Sequence, residues 1–206
     1  ASLDQGSEHP LADAIVSAAR DKGLDLVTPS DFDSGSGIGV RGSVEGKRLV
    51  LGNTALMQQE GISIDTLNAD GERLRGEGAS VMHLAVGGQL AGLLAVTDPI
   101  KATTPAAIKM LHESGMRIVM ATGDGLTTAK AVGARLGVDE VHGEIKPAGK
   151  LELIERLQKE GHIVAMAGDG INDAPALAKA DVGIAMGSGT DVAMNSAQVT
   201  LVKGDL

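Results

Sequence analysis

Apolar residues recur at helical spacing near the start of the chain. Leu11, Ile15, Val16 and Ala19 follow Pro10, and Gly23 marks the exit, so the pattern predicts a helix that opens on a proline. Past Phe32 and a glycine run the period changes. Residues 40–44 and 48–51 flank Glu45-Gly46, and residues 81–86 and Gln89–Val96 flank Gly87-Gly88, two hairpin signatures. Asn53 is placed to cap a short helix ending at Gly61. Residues 64–78 read as a further helix, weakened by Gly71. Residues 1–96 are thus expected to form a smaller α+β domain built on an antiparallel sheet.

After Asp98-Pro99 the rhythm alternates. Helix Thr104–Glu113 leads to a strand at 117–121 and a Thr-Gly-Asp turn. Helix 127–136, a short strand near Val141 and helix 150–160 come next. Strand 163–167 then runs into Gly-Asp-Gly, helix Ala174–Lys179, strand Val182–Met186 and a last strand at 199–202. Short apolar runs alternating with helices predict a doubly wound parallel sheet for residues 97–206. The domain junction falls near residues 96–100.

Composition narrows the function classes. With a single Phe and no Trp or Tyr among 206 residues, the cores must be aliphatic, and base stacking has almost no rings to use. The formal charge of −9 argues against nucleic acid or an anionic membrane surface as the partner. Cysteine is absent, which excludes disulfides and thiolate metal sites. The longest apolar stretch, residues 90–96, is far too short to span a bilayer, so the chain itself is expected to be soluble.

The strongest chemical feature is Gly168-Asp169-Gly170-Ile171-Asn172-Asp173-Ala174-Pro175, directly after an apolar strand. Ligands of doubly wound sheets gather at the carboxyl ends of strands. Two carboxylates four residues apart on such a loop, Asp169 and Asp173, suit Mg²⁺, which takes one or two carboxylates and completes its octahedron with water and phosphate oxygens. They should also repel each other when no cation is present. The plain alternative is an acidic turn capping the next helix. Thr122, Gly123 and Asp124 form a second strand-end turn, whose hydroxyl and amides can hold phosphate oxygens; its plain alternative is a helix N-cap. Lys150 lies between the two turns, where an ammonium can neutralise a phosphoryl oxygen. A solvated helix-end lysine is its alternative.

That order of strand–Thr, Lys and strand–Gly-Asp resembles the haloacid-dehalogenase-like phosphotransferases. Asp98-Pro99, Thr122-Gly123-Asp124 and residues 168–175 resemble the P-type ATPases. Ser7-Glu8-His9-Pro10-Leu11-Ala12, the glycine run and Gly52-Asn53 resemble the nucleotide-binding domain of the heavy-metal-transporting branch, copper and silver pumps in particular. The likeness covers essentially the whole chain. It implies ATP and Mg²⁺ as cofactors, with His9 at the adenine and Glu8 setting its position. The glycines of Gly37-x-Gly39-x-x-Gly42 would admit the nucleotide to the backbone. The family carries Glu five residues before the His, where this chain has the shorter Asp4. Asn172, Thr122, Gly123, Asp124 and Lys150 would be catalytic, and Asp169 and Asp173 would hold Mg²⁺.

One element of the family is not in the sequence. No Asp-Lys-Thr-Gly-Thr loop, which carries the phosphorylated Asp, occurs anywhere in it, nor does the strand that would bear it. The resemblance therefore implies an incomplete haloacid-dehalogenase-like sheet (residues 97–206) joined to an incomplete nucleotide-binding domain (residues 1–96). Such a region would lie on the cytoplasmic side of a bacterial plasma-membrane pump. Its partners would be ATP and the rest of the pump, with the transported metal bound elsewhere and no turnover by this stretch alone. Two other readings stay open: a haloacid-dehalogenase-like phosphatase, which needs an Asp-x-Asp nucleophile, and a non-catalytic nucleotide-binding regulator.

Overall fold

The computed structural model describes residues 1–202 apart from Glu8, Ser36 and Ser188. The chain divides into two compact units, Ala1–Asp98 and Pro99–Leu206.

In the first unit a 3-10 turn, Leu3–Gly6, precedes helix α1 (Pro10–Asp21). A five-stranded antiparallel sheet follows in the order β1 (Ser30–Gly35), β2 (Gly39–Val44), β3 (Lys47–Gly52), β4 (Ser80–Val86) and β5 (Gln89–Val96). Helices α2 (Thr54–Gln59) and α3 (Asp65–Gly76) interrupt it between β3 and β4. The pleat sorts the side chains into two cores. Val50 and Ala85 pack with Leu56, Met57 and Ile62. Leu3, Ile15, Val40 and Leu51 pack with Phe32, Met82, Leu84 and Leu94. Both hairpins and both interior helices fall where the pattern put them. Strand β1 does not appear in that pattern, because Ser-Asp-Phe-Asp-Ser-Gly has one apolar residue and only Phe32 and Gly35 are half-buried.

The second unit alternates helices and strands: α4 (Thr104–Glu113), β6 (Val119–Ala121), α5 (Leu126–Leu136), β7 (Glu140–His142), α6 (Pro147–Lys159), β8 (Ala165–Gly168), α7 (Ala174–Lys179), β9 (Val182–Met186), α8 (Asp191–Ser196) and β10 (Val199–Leu201). All its strand pairs are parallel. They form two pieces, β10-β9-β8 and β6-β7, with no pairing between β6 and β8 among the described residues. One helix nevertheless floors both pieces. Leu153, Ile154 and Leu157 of α6 pack with Val164, Ala176 and Ala180, and against this cluster lie Val119 and Ala121 of β6 and Met166 of β8. The β8 side is otherwise bare: Ile163 is 88% exposed, and Ala165 and Ala167 are exposed too.

Several boundaries move relative to the pattern: β6 begins at Val119 and β8 at Ala165, each two residues later than expected. Helix α6 starts at Pro147 rather than at residue 150, with proline in the first turn, the position where its missing N–H costs nothing. Helix α8 is new. It is only six residues long, and Thr190 caps it by accepting from the Ala193 amide at 3.3 Å.

Candidate phosphoryl-transfer and nucleotide sites

In the second unit the loop after β8 is built around Asp173. Its Oδ2 accepts from the backbone N–H groups of Asp169 (3.3 Å) and Gly170 (3.1 Å). Its Oδ1 receives the Lys150 ammonium at 2.6 Å, with side chains only 8% and 18% exposed respectively. Gly168 makes this possible, because a Cβ there would sit 2.8–2.9 Å from the Asp173 side chain. Both oxygens of Asp173 are therefore engaged inside the protein. Asp169, by contrast, is exposed. The two acids thus have different surroundings: Asp173 is paired with Lys150, and Asp169 faces solvent. The backbone of Asp169 is also fixed from the far side: its carbonyl accepts from Thr190 N–H at 2.9 Å, and Gly189 approaches so closely that a Cβ would lie 2.4 Å from that carbonyl. Neither Gly189 nor Thr190 was singled out by motif; the only sequence signal for them is a glycine-rich turn before α8.

Thr122, Gly123 and Asp124 form their own turn after β6. Thr122 Oγ1 donates to Asp124 Oδ2 (2.8 Å) and accepts from the Asp124 N–H (3.1 Å). The N-cap of α5 is Gly125, which has no side chain to cap with. Gly123 and Asp124 are exposed. The Thr122 carbonyl accepts from Ile145 N–H at 3.0 Å, immediately before α6, whose first turn carries Lys150. The carboxyl ends of β6 and β8 and the amino end of α6 thus meet. Asn172 lies in the 3-10 turn Ile171–Asp173 and is exposed.

In the first unit the glycines fall into different roles. Gly37 has φ +73° with nothing within 4 Å of a Cβ, so it supplies a left-handed turn facing open space. Gly39 has φ +135°, and a Cβ there would lie 2.3 Å from the Leu51 carbonyl and 2.5 Å from Gly52 Cα. Gly42 faces inward, and a Cβ there would meet Leu3 Cδ1 at 2.9 Å; its bareness makes room for the 3-10 turn. Asn53 ties the turn down. Its Nδ2 donates to the Gly37 carbonyl (3.2 Å), its backbone N–H to the Ile38 carbonyl (2.9 Å), and its Oδ1 caps α2 by accepting from Leu56 N–H (3.1 Å).

His9 is exposed and is the N-cap of α1, where Nδ1 accepts from Leu11 N–H at 3.2 Å. In the neutral ring this leaves the proton on Nε2. Asp4 is buried, at 4% exposure. Burial pushes its carboxyl up. Among the described residues no hydrogen bond joins His9 or Asp4 to the glycine turn. Glu8 lies outside the described residues.

Comparison with known proteins adds the family. The haloacid dehalogenase-like hydrolases match residues 1–181. The chain belongs to that family. Its curated relatives within this family's reach include a silver exporting P-type ATPase of Salmonella typhimurium, 56% identical over all 206 residues and 25% of that protein. A copper-transporting P-type ATPase of Rhizobium leguminosarum bv. viciae is 55% identical over 206 residues and 24% of its length. The chain spans about a quarter of these relatives. Among solved structures, the catalytic CPx-ATPase domain CopB-B superposes with a TM-score of 0.69 at 30% identity, covering 99% of this chain and 72% of that one. A zinc-transporting PIB-type ATPase in the E2.Pi state gives 0.67 at 32% identity, covering 98% and 33%. The likeness read from the motifs is borne out: this haloacid dehalogenase-like chain resembles the catalytic region of copper and silver P-type ATPases along its whole length.

Proposed function

We propose that this chain is the ATP- and Mg²⁺-handling portion of a copper- or silver-translocating P-type ATPase, on the cytoplasmic side of a bacterial membrane. Residues 1–96 act as its nucleotide-binding domain and residues 97–206 as its phosphorylation domain. The observation that carries the reading is the Lys150–Asp173 pair at the end of β8, beside an exposed Asp169. Asp173 is a positioning residue in this arrangement. It holds the ammonium and, through two amides, the loop that presents Asp169.

Mg²⁺ fits Asp169, a hard carboxylate donor, but the protein supplies no cage: among the described residues no three His, Cys, Asp or Glu side chains converge. Phosphate and water oxygens would complete the shell. When bound, the ion supplies charge neutralisation at phosphoryl oxygens. The chain's own residues do the rest. Thr122 and the Gly123 amide hold phosphate oxygens, Asp124 keeps the Thr122 hydroxyl in place, and Lys150 offsets charge that develops on the transferring group. His9, through Nε2, and the Gly37–Gly39 turn receive the base and its sugar phosphates.

The acceptor carboxylate comes from a strand that pairs between β6 and β8. The two unpaired edges above the α6 floor support this. No helix among the described residues is long and apolar enough to cross a membrane, so the metal path is assigned to other parts of the pump.

The test uses ³²P-labelled ATP with Mg²⁺. This chain should form no acid-stable, hydroxylamine-sensitive phosphoprotein. A longer chain of the parent pump that includes an Asp-Lys-Thr-Gly loop should form one, and Lys150→Ala in it should abolish labelling. Labelling of the present chain, or undiminished labelling after Lys150→Ala, overturns the reading.

A further inference from the structure

His83 is the most completely buried polar side chain of the first unit. It is 0% exposed, and neither Nδ1 nor Nε2 has a hydrogen-bond partner. A buried imidazole without partners costs more than an apolar ring of the same size, so its surroundings bear on what it does there.

Register places it. In the antiparallel ladder Gly39 pairs with Gly52, Gly52 with His83, and His83 with Leu93. Paired residues project to the same face. Along this row two glycines come first, both crowded: a Cβ on Gly52 would lie 2.2 Å from the Ile38 carbonyl and 2.6 Å from Leu56 Cδ2. The His83 imidazole is the first side chain next to them. Gly52 leads directly into Asn53, which carries the hydrogen bonds to Ile38 and Gly37. The ring therefore lies beside the Gly52 backbone, which leads into the Asn53 contacts to the glycine turn.

Its electrostatic surroundings favour the neutral ring. Burial comes first, and the Arg75 guanidinium of α3 adds to it. The Gly52 backbone favours the charged form weakly, without reaching hydrogen-bond geometry. Arg75 is itself paired with Glu72 at 2.7 Å. Helix α2 and strand β5 carry no charged residue, and the charges of β3, Lys47 and Arg48, are exposed at its opposite end.

We propose that neutral His83 is a positioning residue for nucleotide binding: it props Gly52 and Asn53, through which the Gly37–Gly39 turn is held, and a proton on its ring releases that turn. This rests on the assignment of the turn as the nucleotide site. The ring's ordinary value is 6.5 and the folded protein lowers it. The prop is therefore complete above pH 6.5 and weakens as acid is added below it.

The experiment follows the whole chain from about pH 7.5 to about pH 5.5, across the histidine range, as wild type, His83→Phe and His83→Gln. Two quantities are read: ADP affinity by calorimetry, and amide exchange of Gly37 and Gly39 without ligand, corrected for the intrinsic pH dependence of exchange. Wild type should lose ADP affinity more steeply than either variant, by up to about tenfold per pH unit for one linked proton. Exchange at Gly37 and Gly39 should rise in acid in wild type alone, while Val50 and Ala85 stay protected. A side chain that only fills space changes stability by the same amount at every pH. Parallel pH profiles in wild type and both variants, or acid exchange that spreads equally to Val50 and Ala85, overturn the proposal. If His83→Phe is poorly folded, His83→Gln keeps a polar, non-titrating group there and decides alone. Absence of ADP binding at any pH would refute the nucleotide reading, and the exchange data would still decide whether His83 holds the turn.

Discussion

Asp169 and Asp173 look equivalent in sequence and differ in what surrounds them. Removing Asp173 would strand a mostly buried ammonium and two loop amides. Asp173→Ala should therefore cost about 3 kcal/mol, seen in thermal melts with or without Mg²⁺. Asp169→Asn leaves those contacts in place and should stay within about 0.5 kcal/mol of wild type in EDTA, while losing any shift that millimolar Mg²⁺ gives. Equal destabilisation by the two changes would show that the loop does not depend on the Lys150 contact. The glycines separate in the same way. Gly39→Ala pushes a methyl into the Leu51 carbonyl and Gly52 and should unfold or severely weaken the first unit. Gly37→Ala meets no atoms and should cost only about 1 kcal/mol, the usual penalty of a left-handed residue with a Cβ. Denaturant titration of both variants checks the ranking. The motifs marked the positions of all four residues. They did not mark the inward turn of Asp173 or the packing of Gly42 against Leu3, because both depend on partners 23 and 39 residues away in sequence.

Among the elements, the hairpins and the longer helices were legible because their periodicity is strong and their turns carry glycine at positive φ, as at Gly46, Gly87 and Gly88. Strand β1 was not, since an edge strand with one apolar residue has no alternation to read. It is recruited instead by pairing with β2 and by the Phe32 ring, which lies 3.0–3.1 Å from where a Gly6 Cβ would be. Helix α8 is too short for a periodic signal and depends on its Thr190 cap. Asn53 was legible as a cap and as part of the nucleotide-domain likeness, but its hold on Gly37 belongs to the fold. Asn53→Ala should cost about 1 kcal/mol through the lost cap. It should also weaken ADP binding at neutral pH, whereas Asn53→Asp, which keeps the cap oxygen but not the Nδ2 donor, should lose binding with much less loss of stability. Comparing melts with ADP titrations of the two variants separates these contributions.

At the scale of the whole molecule, the two units have separate cores and should answer acid differently. In the first, His83 is lowered, so it contributes stability that is complete above pH 6.5 and declines below it. Asp4 acts in the opposite sense: its raised carboxyl adds stability at low pH and loses it as pH rises through the folded value. In the second unit the backbone N–H of Ile118 and the His112 ring lower Asp139, the His142 ring lowers Glu140, and the backbone N–H of Val164 lowers Asp181. Their contribution is complete above the ordinary carboxylate values of 3.8 and 4.5 and fades only below them. Amide exchange at about pH 5.5 should thus show the Gly37–Gly39 turn of the first unit loosened relative to about pH 7.5, with Val50 and Ala85 still protected and the second unit unchanged; loosening of the second unit instead would contradict these assignments.

The α6 floor has a last consequence. Because one helix already packs against both β6 and β8, the strand assigned between them would arrive at a surface that is largely formed in advance. Insertion then resembles the association of a ligand more than the growth of a sheet, and it need not be covalently continuous with the rest. A synthetic peptide bearing an apolar strand and the Asp-Lys-Thr-Gly loop could complement the chain in trans, with an affinity set by two ladders of backbone hydrogen bonds and the burial of Ile163.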